Sequence, residues 1–219
     1  MGLPKIIKRI LPKSWLYKIE LDQAHKSMIG SMNEVEWRKN GCPGAAPSSV
    51  KWATIRNNKA KYEATHFIET GTFLGDTSFE MKDDFNQVDT IELDEKLAGM
   101  AINRFAPFKN VKVWQGDSGK KIVDVLNTIP NDKICLFWLD GHFSGGITAK
   151  ADLNTPISKE IEAIYDHNKK HIILIDDARL FINCEEDYPS LGELMKQIKL
   201  YNPAAIIEVK DDIIIVKPS

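Results

Sequence analysis

The stretch His66-Phe67-Ile68-Glu69-Thr70-Gly71-Thr72-Phe73-Leu74-Gly75-Asp76-Thr77-Ser78 constrains this chain more than any other. A short apolar run ends in an acid, two glycines follow, and a polar helix start comes next. Strand, glycine turn and helix N-terminus in this order mark where an open α/β sheet binds a nucleotide-like ligand. The spacing here is E-x-G-x-x-x-G. A dinucleotide fingerprint, G-x-G-x-x-G, needs a glycine two residues after the first so that the backbone can approach a pyrophosphate. That position is Phe73, and Glu69 would repel a pyrophosphate. A carboxylate at this point suits a ligand with a cationic amino-acid end.

From His66 onward, strand and helix patterns alternate. The spacing predicts strands over 66–69, 88–93, 111–114, 134–140, 171–176, 205–209 and 213–217, with helices over 95–105, 120–128, 157–166 and 191–201. The first four strands start about 23 residues apart, which suits βαβ crossovers and a mostly parallel, doubly wound sheet. Only Lys210-Asp211-Asp212 separates the last two, too short for a crossover, so they form an antiparallel hairpin. The expected fold is α/β with seven strands, mostly parallel, closed by that hairpin.

Ahead of this core, residues 4–21 read as a basic helix broken at Pro12, with Ile6, Ile7, Ile10 and Leu11 on one face. A membrane-surface helix and a helix packed on the domain both fit, and the packed reading is preferred because the stripe is short. Residues 41–49 read as a loop, and 50–62 as one more helix. The expected division is a helical extension and lid over 1–60 and a ligand-binding domain over 61–219.

Lys plus Arg number 29 against 31 Asp plus Glu. That balance argues against a general nucleic-acid binder. Cys42, Cys135 and Cys184 have no zinc-like spacing, which points to a reduced, cytoplasmic protein. No apolar run is long enough to span a bilayer.

Ligands in open α/β sheets sit beyond the carboxyl ends of the strands. After the second strand stand Glu92 and Asp94. An acid at this position can accept hydrogen bonds from two ribose hydroxyls, and Asp94 is also placed to cap the next helix. After the third come Gly116, Asp117 and Ser118, which suit a flat ring with an exocyclic amine or, more simply, a helix cap. The fourth strand ends in Asp140-Gly141-His142 and the fifth in Asp176-Asp177-Ala178-Arg179. Three carboxylates at one sheet edge repel one another. An oxygen-only donor set favours Mg²⁺, Mn²⁺ or Ca²⁺ over zinc. The competing reading is structural, with Asp177 capping a turn and Asp140 holding a loop.

The 66–78 stretch resembles motif I of the class I S-adenosylmethionine (SAM)-dependent methyltransferases. Together with Leu139-Asp140-Gly141-His142 and Ile175-Asp176-Asp177-Ala178-Arg179, it resembles the metal-dependent O-methyltransferases of the macrocin and aminocoumarin sugar type, and more distantly the catechol type. The resemblance covers about residues 66–217. It implies a SAM pocket lined by Glu69, Gly71, Thr72, Gly75, Thr77, Ser78, Glu92, Gly116, Asp117, Ser118 and Asp140. It also implies Mg²⁺, or another divalent cation, on Asp140, Asp176 and Asp177.

The catechol type carries its general-base lysine three residues after the first metal aspartate, where this chain has Phe143. His142 is the candidate replacement, with Asp140 beside it as the second catalytic residue. Stacking on the cofactor or an outer-shell role are the other readings of His142. His142, Lys150 and Arg179 are candidates for holding substrate. The 141–156 segment, with Gly145-Gly146, is expected to form a wall of the acceptor site. The expected function is methyl transfer to a hydroxyl of a sugar, glycan or other vicinal diol. The alternatives are a metal-independent small-molecule methyltransferase and a non-catalytic SAM-binding protein. A homo-oligomer is compatible with the sequence.

Overall fold

The computed structural model describes residues 33–140, 156–184 and 188–218. Seven strands, β1 (His66–Thr70), β2 (Gln87–Glu92), β3 (Val111–Gln115), β4 (Cys135–Leu139), β5 (Ile172–Ile175), β6 (Ile206–Lys210) and β7 (Ile213–Lys217), form one sheet in the order β3-β2-β1-β4-β5-β7-β6. The first five pair in parallel, whereas β7 runs antiparallel to both β5 and β6. The expected mostly parallel sheet with a C-terminal hairpin is thus observed. Asp211 and Asp212 take positive φ values of 54° and 60° in the hairpin turn. That backbone matches the right-handed twist of the strands it joins, and aspartate tolerates it.

The described helices are α1 (Glu34–Lys39), α2 (Ser48–Tyr62), α3 (Asp76–Met81), α4 (Glu95–Phe105), α5 (Ser118–Leu126), α6 (Ile157–His167), α7 (Ala178–Ile182) and α8 (Leu191–Tyr201). Local chemistry sets several starts. Asp94 caps α4 by accepting from the backbone N–H groups of Lys96 and Leu97. Ser190 and Glu193 form a reciprocal capping box at α8. In α4, Leu97, Ala98, Ala101 and Phe105 are buried, a single face at helical spacing.

Strand alternation divides the core into two layers. Ile68, Ile91, Phe137, Leu139, Ile173 and Ile175 pack on α5, α6 and α8. Phe67, Val88, Leu136, Trp138, Ile172 and Leu174 face the other way, onto Ile55 of α2 and Met81 of α3. By the same alternation, Glu69, Thr90 and Glu92 share the α2–α3 face, and Asp140 and Asp176 continue it beyond β4 and β5. The helix that precedes β1 packs on this face against β4 and β5. His171, just before β5, has a structural role: its Nδ1 accepts from the Cys135 N–H at 3.1 Å, and burial, then the neighbouring His167 and His66, lower its pKa to about 3.

The expected basic helix over 4–21 lies outside the described residues. So do Gly141 to residue 155 of the expected acceptor-site wall, including His142, Phe143 and Lys150. No described helix is long and apolar enough to cross a membrane.

Candidate active site

The chain order reverses between β1 and β4, which opens the crevice where ligands of such sheets bind. Backbone hydrogen bonds join the strand ends there. The N–H of Asp140 donates to Thr70 O (3.0 Å), that of Asp176 to Leu139 O (3.1 Å), and those of Gly71 and Thr72 to Ile91 O (2.9 and 3.2 Å). The glycine loop, Glu92, Asp140 and Asp176 therefore sit on consecutive strand ends.

Gly71 and Gly75 both have left-handed φ, 84° and 78°. A Cβ at Gly75 would approach the Phe105 ring to 2.9 Å, so this glycine is fixed by packing as well as by the turn. Glu69 is buried, and its Oε2 accepts from Ser78 Oγ (2.6 Å) and Thr90 Oγ1 (2.7 Å). Thr72 Oγ1 joins this group, 2.6 Å from Thr90 Oγ1. Burial pushes the Glu69 carboxyl up to about 7, against the lowering effect of the two hydroxyls. Thr77 lies in the first turn of α3, next to Ser78.

Glu92 accepts from the N–H of Phe73 (2.7 Å) and of Asp94 (2.9 Å), which ties the glycine loop to the end of β2. A carboxylate has about four acceptor positions, so these two bonds do not exhaust it. Beyond β3, Gly116 has a φ of 140°, Asp117 caps α5 through the Gly119 N–H at 2.9 Å, and Ser118 is the buried first residue of that helix. The cap expected from the sequence is therefore present, at the edge that the resemblance gives to adenine.

Asp140, Asp176 and Asp177 each offer an oxygen, and these oxygens lie within 4.8 Å of one another. Two protein cations meet the cluster. Lys51 of α2 is hydrogen-bonded to Asp176 Oδ2. Arg179 donates to Asp177 Oδ1 at 2.7 Å and pairs with Asp212. Burial by itself would lower the Lys51 pKa, but Asp176, Asp140 and Asp177 outweigh it and hold the ammonium above the usual lysine range. Tyr188 also faces the cluster: burial raises its pKa, and Asp177 and Asp140 raise it further.

The sequence expectation that a metal must supply the counter-charge is thus modified. Lys51 and Arg179 supply part of it, and Arg179, expected to hold substrate, has two carboxylate partners within the chain. Both cations stand on outer edges of the group, Lys51 on Asp176 and Arg179 between Asp177 and Asp212. Asp176 is 1% exposed, yet its Oδ1 has no hydrogen-bond partner among the described residues, and Thr70 Oγ1 at the end of β1 has none either. Buried acceptors without partners are costly, and an all-oxygen set suits a hard cation. The residues present fit a Mg²⁺-like ion.

Lys51, Tyr188 and Asp212 were not legible as site residues. Lys51 and Tyr188 reach the cluster only through tertiary packing. The one local signal was the paired aspartate in the hairpin turn, which carries Asp212 beside β5.

No family model and no curated protein matches the chain. Solved structures do. SAH-bound methyltransferase PaMTH1 of Podospora anserina matches with a TM-score of 0.53 and 13% identity, over 100% of this chain and 99% of that one. The O-methyltransferase TomG of Streptomyces achromogenes, involved in tomaymycin synthesis and solved in complex with SAM, matches with a TM-score of 0.51 and 15% identity, over 91% of this chain and 90% of that one. Likeness at such identities is likeness of fold, and the chain has the Rossmann-like fold of the class I SAM-dependent methyltransferases.

Proposed function

We propose that the chain is a SAM-dependent O-methyltransferase that also uses Mg²⁺ or another divalent cation. The observation that carries this reading is the three-carboxylate cluster at the β4 and β5 ends, directly beside the glycine loop at the switch point. The acceptor is a hydroxyl of a sugar, a glycan or another vicinal-diol small molecule, by resemblance to the sugar-type enzymes.

SAM, when bound, supplies the methyl group. Asp140, Asp176 and Asp177 would hold the divalent ion, which would supply Lewis-acid lowering of an acceptor hydroxyl's pKa. The chain's own contribution is placement. Glu92 holds the ribose hydroxyls, Glu69 faces the cationic amino-acid end, and the Asp117 turn lies against the base. Asp140 stands between the cofactor loop and Asp176, so it fixes the distance between donor and acceptor. Holding reactants in line accounts for much of such a rate enhancement. His142 is the candidate base and Lys150 a candidate substrate contact; both lie outside the described residues.

The Lys51–Asp176 pair favours a second reading, a metal-independent methyltransferase in which lysine is the permanent counter-ion. Methyl transfer from labelled SAM to a panel of glycans, with Mg²⁺ and with excess chelator, separates the two. Loss in chelator that Mg²⁺ reverses supports the first reading. Full activity in chelator supports the second.

A further inference from the structure

Lys51 is the fourth residue of α2, and its ammonium reaches the buried end of β5. The aliphatic stem carries that ammonium past Trp138, with Nζ 5.9 Å from the ring centroid. We propose that Lys51 and a divalent cation are alternative partners of the Asp140–Asp176–Asp177 cluster, so that loading the ion drives the lysine off Asp176. This inference rests on the metal reading above.

Three features lead to it. Lys51 already occupies one oxygen of Asp176, while the other has no hydrogen bond among the described residues. An ion on that second oxygen, at a coordination distance of about 2.1 Å, would lie only a few ångströms from the ammonium. Like charges that close repel strongly where water is excluded. One oxygen from each of the three carboxylates lies within 4.8 Å of the others, so an ion shared by all three stays close to an ammonium held on Asp176.

The two protein cations differ in how they are held. Arg179 is clamped by Asp177 and Asp212, and its backbone N–H also donates to Asp212 at 2.8 Å. Lys51 is held by a hydrogen bond to Asp176, at the end of a flexible four-carbon stem. The lysine is therefore the cation that yields. Its removal from Asp176 links ion binding at the sheet edge to α2, which packs on β4 and β5.

Coupling of this kind is reciprocal. The test measures Mn²⁺ affinity by calorimetry for the wild type and Lys51→Met. Alongside, it measures acylation of Lys51 in the wild type by an amine-reactive reagent, with and without saturating Mn²⁺. Lys51→Met is expected to bind Mn²⁺ about tenfold tighter or more, within the usual range of coupling between sites. Wild-type Lys51 is expected to label slowly alone and several-fold faster with Mn²⁺. The labelling arm needs no variant to fold, and it distinguishes displacement from simple loss of a nearby charge. Equal or weaker Mn²⁺ binding by Lys51→Met, or labelling that Mn²⁺ leaves unchanged, overturns the displacement and leaves the metal reading standing. No Mn²⁺ binding by either protein overturns the metal reading, and the displacement with it.

Discussion

The ammonium of Lys51 is hydrogen-bonded to Asp176, 125 residues further along the chain. The bond joins α2, which precedes the first strand, to the carboxyl end of β5. Ile55, one turn further along α2, is fully buried against the same face of the sheet. The helix thus contributes to both the core and the site.

Because Ile55 anchors α2, Ile55→Ala should destabilise the protein by about 2–5 kcal/mol, the usual cost of truncating a buried aliphatic side chain. Urea unfolding measures this. A loss under about 1 kcal/mol would mean that α2 is not held by its core face.

Glu92→Ala should weaken SAM binding by about 1–3 kcal/mol, the cost of leaving buried hydrogen-bond partners unpaired. The same change frees the N–H of Phe73, so the glycine loop should also lose protection from hydrogen exchange. Calorimetry that finds unchanged SAM affinity would remove Glu92 from the ribose site.

Glu69 makes a prediction about pH. Its folded-state pKa of about 7 lies above the ordinary glutamate value of 4.5. The folded protein therefore holds this proton more tightly than the unfolded chain. The associated stability is fully present below about 4.5 and is lost as pH rises to about 7, levelling off above that. Glu69→Gln has no such titration. The difference in unfolding free energy between Glu69→Gln and wild type should shift in favour of the variant across this window. A difference that does not change with pH would contradict the buried, raised carboxyl.

Asp140→Asn and Asp177→Asn should each abolish methyl transfer and weaken Mn²⁺ binding, and Asp177→Asn should leave SAM affinity nearly unchanged, since Asp177 follows β5 and is not among the residues expected to line the SAM pocket. Activity assays and calorimetry on the same variants check both halves. Loss of SAM binding alone, with Mn²⁺ binding intact, would reverse the assignment.

Much of this architecture could be read from periodicity. The 66–78 stretch located β1, the glycine loop and the start of α3, and the three-residue gap at 210–212 fixed the hairpin. Helices α4 and α8 fall at the expected bounds because Asp94 and Ser190 cap them and an apolar face repeats at helical spacing. The short α1 and α7 were not foreseen; they are too brief to show a period. The site was legible only where a strand end announced it, as at Glu92, Asp140 and Asp176. Lys51 sits on a helix that reads as an ordinary charged surface helix, and only packing against β4 and β5 turns that lysine inward. Asp117 shows how ambiguous such positions are, since the same residue caps α5 and borders the expected adenine site.

The most direct test of the account is a crystal structure with S-adenosylhomocysteine and Mn²⁺, with the ion located by its anomalous signal. The account predicts the nucleoside over β1 to β3 with its ribose on Glu92. It also predicts one ion coordinated by Asp140, Asp176 and Asp177 at about 2.0–2.3 Å, within direct coordination range for oxygen ligands. A nucleoside bound away from Glu92, or no anomalous peak within reach of the three carboxylates at saturating Mn²⁺, would contradict it.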